Sequence, residues 1–244
     1  MEGTRGKKGA IPMDDKTRYS DIKIEQSKEI PAGDFSIWLE DFRQALLQDQ
    51  GMEVPCGDCL ACCQASYFIH IRPQEKETLL RIDKKLLFPA PGLPRGNRLL
   101  GYFENGQCPL LVNERCSIYE HRSLTCRAYD CRIFAASGID AGEDDKKLVN
   151  ERVRRWKFSY QGQAGLDQHA AIKKAARFIR ERAECFPEGK VPRDSSQLAI
   201  LAIKVYNVFL NNDQLLEPTC SDQELARRVM EANEAFEARR KIQK

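Results

Sequence analysis

The chain has 244 residues, enough for one large domain or two small ones, and 42% of them are hydrophobic, so an ordinary core need not depend on a bound metal. Its 39 basic and 36 acidic residues leave a formal charge of +3, a balance that argues against a general nucleic-acid partner. The longest apolar run, Leu198 to Leu210, is broken by Lys204 and Asn207 and falls short of the ~20 residues that cross a bilayer, so no membrane association is expected.

Residues 1–33 mix Gly, Lys, Asp and Pro without periodicity and read as a flexible leader. Met1 to Arg18 has no apolar h-region, so a secretory signal is not expected. Ten cysteines without such a signal imply a reducing, cytoplasmic setting, where clustered thiols bind metal or do redox chemistry rather than form disulfides.

Asp34 to Gln50 is expected to be a helix, with Asp34 as N-cap and Phe35, Trp38, Leu39, Phe42 and Leu46 on one face, stopped by Gly51 and Pro55. Tyr67, Ile69 and Ile71 then alternate with Phe68 and His70, which predicts a short strand ended by Pro73. Pro73 suits the first turn of a helix with Glu75 and Glu77 near its start and Leu79, Ile82 and Leu86 along one side. Pro89, Pro91, Gly92, Pro94 and Gly96 make an irregular connection, and Asn105-Gly106 suits a short hairpin.

Beyond Ala141 helical periodicity takes over. Arg152 to Tyr160 interleaves cations with aromatics, as RNA-binding surfaces do, but a helix with Val153, Trp156 and Tyr160 inward explains the same residues. Ile172, Ala176, Ile179, Ala183 and Phe186 share a face of a helix ended by Pro187 and Gly189, and Leu198 to Phe209 marks a largely buried one. Ser221 with Glu224 forms a capping box for a last helix with Leu225, Val229, Ala232 and Phe236 inward. The expected fold is α+β and helix-rich. Its domains are the leader (1–33), a metal-stabilised cysteine-rich lobe with short strands (34–140), and a helical C-terminal region (141–244).

Eight cysteines carry the chemistry. Cys56, Cys59 and Cys62 repeat a Cys-x-x-Cys spacing, in which two sulfurs reach one ion while intervening amides offset their charge, and Gly57 permits the turn. Cys63 follows Cys62 directly, and neighbouring side chains are expected to diverge. Cys108, Cys116, Cys126 and Cys131 supply further thiols, and a thiolate set without carboxylates selects zinc or an iron–sulfur cluster. Arg115, Arg122, Arg127 and Arg132 lie near these cysteines and suit compensation of thiolate charge. Cys185, placed in a helix, and Cys220, a hydrophobic-staple position against Leu225, read as small buried hydrophobes. Among the histidines, His121 is the candidate to support or replace a ligand, His70 a half-exposed strand residue and His169 a helix-surface one.

The order CGDCLACC, then CPLL, CSIYEHR and CRAYDC, resembles the YkgJ-like cysteine-cluster family, described as zinc- or iron-chelating. The resemblance covers roughly Cys56 to Cys131, and the family's eight cysteines fall on Cys56, Cys59, Cys62, Cys63, Cys108, Cys116, Cys126 and Cys131. Ser123 stands where the family usually has proline, which is expected to loosen the turn before Cys126 without removing a ligand. The resemblance implies metal binding but no settled activity. A related cluster in bacterial flagellin lysine N-methylases keeps a protein-modifying enzyme among the readings. Ser66 stands where radical S-adenosylmethionine and ferredoxin patterns need their next cysteine, and no Gly-x-Gly-x-x-Gly or Gly-Lys-Ser/Thr loop supports a nucleotide site. Three classes follow: a metal protein with a structural or electron-handling centre, a cluster-dependent enzyme acting on a protein substrate, and a zinc-held module that binds a protein partner.

Overall fold

A computed structural model describes residues 10–11, 28–52, 54–210 and 221–242. Most of the expected leader lies outside these residues, as does Cys220. Helices dominate, and no described strand exceeds five residues, so the class is α+β and helix-rich. The chain divides into two compact units. One comprises Met1–Gln26, Cys56–Tyr129 and Asp144–Val149; the other comprises Ser27–Pro55, Asp130–Glu143 and Asn150–Lys244.

In the first unit, Arg98–Leu100 is the central strand of an antiparallel sheet, paired with Ile69–Ile71 on one side and Leu87–Pro89 on the other. The sheet exists because Ile71 and Leu100 are both fully buried, in one cluster with Ile82, Cys108 and Ile118. The helix expected from Pro73 is only Lys76–Leu80. Asp83 then accepts the Lys85 N–H (2.9 Å) and caps a 3-10 turn over Lys84–Leu86, which competes with helix continuation. Leu79, Ile82 and Leu86 still reach the cluster. The described hairpin joins Leu111–Val112 to Arg115–Cys116 through Asn113 and Glu114, both left-handed at φ 49° and 58°. The turn expected at Asn105-Gly106 is also present: left-handed Gly106 donates its N–H to the Phe103 carbonyl and Phe103 N–H donates to that of Gln107, the closing bonds of a three-residue hairpin turn, although among the described residues no further ladder extends from it. The strand before that turn, Tyr102–Phe103, pairs in parallel with Ala10–Ile11.

In the second unit, the helix Phe35–Gln48 forms as expected. Asp34 Oδ1 accepts the N–H groups of Ser36 (3.0 Å) and Ile37 (3.1 Å), satisfying two amides that have no intrahelical partner. Its last buried residue is Leu47, with Leu46 half-buried, and Asp49 ends it in the left-handed conformation at φ 57°. The helices Arg132–Ser137, Gln163–Glu181, Ser195–Val205 and Asp222–Ile242 bury Phe134, Ile172, Ile179, Ile203, Val229 and Phe236, each worth about 1.5–3 kcal/mol of transfer free energy. The Glu224 N–H donates to Ser221 Oγ (3.3 Å), the first half of the expected capping box. Gln163–Glu181 stops before Ala183, which is exposed, and only Phe186 returns to the core.

The helix expected over Arg152–Tyr160 ends at Arg155. Trp156–Ser159 is instead a strand, paired in parallel with Ile30–Asp34. β-Propensity at Trp156 and Phe158 and an available partner edge override the amphipathic helix pattern. Trp156 is buried, whereas Tyr160 is exposed. The cations there are held by protein groups: Arg152 by the Pro55 carbonyl (3.2 Å), Arg155 by that of Lys28 (2.9 Å) and Lys157 by Glu29 (3.5 Å).

Candidate metal centre

The first cysteine group opens on a turn in which the Cys59 N–H donates to the Cys56 carbonyl (3.1 Å), with Gly57 at φ 55°. A 3-10 turn over Ala61–Gln64 follows, and within it the Cys62 and Cys63 thiols are hydrogen-bonded to each other. The two side chains do not diverge as expected. In a strand neighbours face opposite ways, but a 3-10 turn rotates them by only a third of a circle. That bond, reinforced by burial, pushes the Cys62 thiol well up. The same bond, with the Arg122 charge, draws Cys63 down to about 7 against the opposing effect of burial. Cys63 is therefore the readier thiolate of the pair.

Backbone bonds tie the second group to the first. The Cys108 N–H donates to the Cys63 carbonyl (2.7 Å) and the Ser66 N–H to the Gly106 carbonyl (2.9 Å). Gly106 is required there: its φ is 85°, and a Cβ would stand 2.6 Å from Ser66 Oγ. Beyond this junction the sulfurs of Cys108 and Cys116 accept backbone N–H bonds from Leu110 and Ile118, each two residues on. Such amides stabilise thiolates, the role expected of the Cys-x-x-Cys turns. Cys63 and Cys116 pack against the apolar cluster that contains Cys108. Burial pushes Cys108 up to about 12, Cys126 up to about 11 and Cys116 upward as well. Such thiols ionise when a positive charge repays their desolvation.

Cys126 lies in the helix Leu124–Ala128. Ser123 is buried and is its N-cap, with Oγ accepting the Cys126 N–H (3.3 Å). Far from loosening this turn, the serine holds it. Glu75 fixes the same segment, its two oxygens accepting the N–H groups of Leu124 (2.5 Å) and Arg72 (2.8 Å). Thr125 Oγ1 donates to the His70 carbonyl (2.6 Å), and Thr78 Oγ1 to that of His121 (2.8 Å). Sequence reasoning missed Glu75, Thr78 and Thr125, whose partners are 43 to 55 residues away. Ser123 carried a local signal, a cap-forming residue just before a helical segment.

Of the four arginines expected to balance thiolate charge, Arg122 acts on described thiols. It lowers Cys63, Cys116 and Cys126, and its guanidinium lies 3.6 Å over the Tyr119 ring. Arg115 and Arg127 are exposed. Arg132 is buried in the second unit against Asp130, whose Oδ1 and Oδ2 accept its Nε at 2.9 and 3.0 Å. In that unit the Cys131 sulfur accepts a hydrogen bond from Trp156 Nε1 (3.2 Å).

Cys185 is half-buried in a 3-10 turn after the helix it was expected to occupy, because that helix stops at Glu181. Cys59, Cys62, Cys63, Cys108, Cys116, Cys126 and Cys185 are in no disulfide. His70 is a half-buried strand residue bonded to Asn97 (2.8 Å). His121 lines a cleft of about 580 Å³ with Cys116, Arg81 and Tyr119. His169 is half-buried rather than a plain helix-surface residue. Its ring stacks on Phe35 with centroids 4.3 Å apart.

Among the described residues, no three His, Cys, Asp or Glu side chains stand together as the ligands of one ion. The donor chemistry nonetheless suits a soft metal: thiols on linked backbones, with amide N–H groups and one cation directed at their sulfurs.

Residues 55–153 match the CxxCxxCC family. Its description is "Putative zinc- or iron-chelating domain", so chelation of zinc or iron is supported at the level of the CxxCxxCC domain. Neither a curated protein nor a solved structure matches the chain. No described helix is long and apolar enough to cross a membrane.

Proposed function

We propose that this protein is a thiolate metalloprotein. Its ligands are drawn from Cys56, Cys59, Cys62, Cys63, Cys108, Cys116, Cys126 and Cys131, they hold zinc or an iron–sulfur cluster, and the centre is structural or handles electrons. The observation that carries this reading is the junction of the two cysteine groups, where the Cys108 N–H meets the Cys63 carbonyl and amides of the following residues meet the sulfurs of Cys108 and Cys116. Four thiolates on one divalent ion carry two net negative charges. Those amides and Arg122 supply the opposing partial and full positive charge.

Anaerobic purification followed by metal and sulfide analysis and a visible spectrum tests the reading. Iron with sulfide and a brown colour identify a cluster and direct attention to electron transfer. Stoichiometric zinc in a colourless protein identifies a structural centre. A protein that carries neither and cannot be reconstituted with either refutes the proposal.

A further inference from the structure

We infer that Lys146 is a positioning residue of the metal centre: its ammonium fixes the peptide that leaves the Cys62–Cys63 turn and, through a hydrogen-bonded tyrosine pair, ties that turn to the end of the helix that carries Cys126. The inference rests on the metal reading above and deepens it by giving a residue outside the cysteine motif a part in the centre.

Beyond Tyr129 the chain rejoins the first unit with Asp144–Val149, and Lys146 reaches the cysteine-bearing segments from there. Lysine is seldom buried unless its charge is met, yet this side chain is only 12% exposed. Its ammonium donates to the Ala65 carbonyl and to Asp145 Oδ2 (2.9 Å), and it lies 4.2 Å from the centroid of the Tyr67 ring.

Ala65 is buried and directly follows the 3-10 turn Ala61–Gln64 that carries Cys62 and Cys63. The last carbonyls of such a turn lack donors within it, and a lysine side chain can supply one. The peptide unit between Ala65 and Ser66 is therefore held on both sides. Lys146 takes its C=O, and the Gly106 carbonyl takes its N–H (2.9 Å). With the Cys63 carbonyl already bonded to the Cys108 N–H (2.7 Å), the exit of the turn is fixed in direction.

Tyr67 carries the constraint onward. Its hydroxyl is hydrogen-bonded to that of Tyr129 (2.9 Å), with ring centroids 5.2 Å apart. Tyr129 is the C-cap of Leu124–Ala128, so the pair links the exit of the Cys63 turn to the helix that holds Cys126. Loss of the ammonium leaves a buried carbonyl without this donor and frees the Tyr67 ring, so both segments lose a shared support.

The test uses the full chain carrying the metal with which it purifies. Lys146→Met keeps the apolar stem without the charge, and its bound metal is followed as it passes to excess EDTA. Loss about tenfold faster than in the wild type is expected. Lys146→Arg, which restores a cation with its donors, is expected to stay close to the wild-type rate. Lys147→Met, the same change at an exposed neighbour, is expected to match the wild type. The sulfur-to-metal charge-transfer bands of the loaded protein (those of the cluster itself, or of cobalt(II) exchanged for zinc) are expected to shift in Lys146→Met. Tyr67→Phe, which removes only the hydroxyl, is expected to hasten loss too, and it decides the matter if circular dichroism shows that Lys146→Met does not fold. A wild-type rate in Lys146→Met overturns the inference, as does faster loss that Lys146→Arg shares or that leaves the bands unchanged, the mark of a role in holding the fold alone. In each of these cases the metal reading stands. A wild-type protein that holds no metal overturns both.

Discussion

His169 Nε2 lies 3.3 Å from the Ala135 carbonyl, which can only accept, so Nε2 carries the proton and Nδ1 takes the hydrogen bond of the Tyr160 hydroxyl (2.6 Å). Burial, with the nearby Lys173 charge, lowers the His169 pKa to about 4 against two opposing backbone bonds. An unfolded chain holds this proton up to about pH 6.5, so between pH 4 and 6.5 it binds more protons than the folded one. Stability from this residue is therefore complete above pH 6.5 and is lost as pH falls toward 4. Urea titrations across that window should show a decline in stability that His169→Phe reduces; an unchanged slope would place its cause elsewhere. A second buried group carries a larger penalty. Asp130 is 1% exposed and is held by Arg132 and by Trp38 Nε1 (2.8 Å). Removing the cation in Arg132→Met strands a buried carboxylate and should cost about 3–5 kcal/mol by denaturant unfolding.

The segments between cysteines do as much to build the site as the cysteines themselves. Gly106→Ala would force a side chain into a left-handed position against Ser66 and should cost about 1–2 kcal/mol. Ser123→Ala removes the cap at Cys126 and should cost about 1 kcal/mol. Both are read by chemical denaturation, and a neutral result at Gly106 would show that the Ser66–Gly106 junction is dispensable. What was legible in the sequence tracks the range of the forces involved. The Asp34 and Ser221 caps depend on residues within a few positions and are legible in the sequence, and the strand ending at Ile71 is legible from its local alternation although its partner, Arg98–Leu100, lies well downstream. The strand at Trp156–Ser159 was read as helix because its partner, Ile30–Asp34, lies over a hundred residues earlier. The turn at Asn105-Gly106 is legible because that dipeptide carries the turn signal. The hairpin at Asn113-Glu114 is not, because Glu114 is a residue that rarely adopts positive φ and so gives no warning. The cysteine motif was plain from spacing alone. The contact between Cys62 and Cys63 was not, since it depends on a 3-10 turn that spacing does not specify.

The two units differ in how they are held. The second is built mainly on helices of 11 to 21 residues, with the shorter Arg132–Ser137, around its own buried side chains, among them Phe35, Leu39, Ile172, Ile179 and Ile203. Among the described residues the first has strands of two or three residues, and its core cluster has five buried members, one of them a cysteine. Short strands around so small a core recover little of the roughly 1–2 kcal/mol per residue lost in ordering a backbone. A thiolate centre there would make up the difference, because binding that requires the folded arrangement is itself folding free energy. At a free metal concentration a hundredfold above its dissociation constant this amounts to about 2.7 kcal/mol. Chelation under reducing conditions should therefore raise amide hydrogen exchange across Cys56–Tyr129 while the helices Gln163–Glu181 and Asp222–Ile242 keep their protection and most of the far-ultraviolet ellipticity persists. Uniform loss of protection would mean that the metal supports the whole chain as one cooperative body. Unchanged exchange within Cys56–Tyr129 would mean that the apolar cluster and a network of caps hold this unit without it, and the argument from core size would fail.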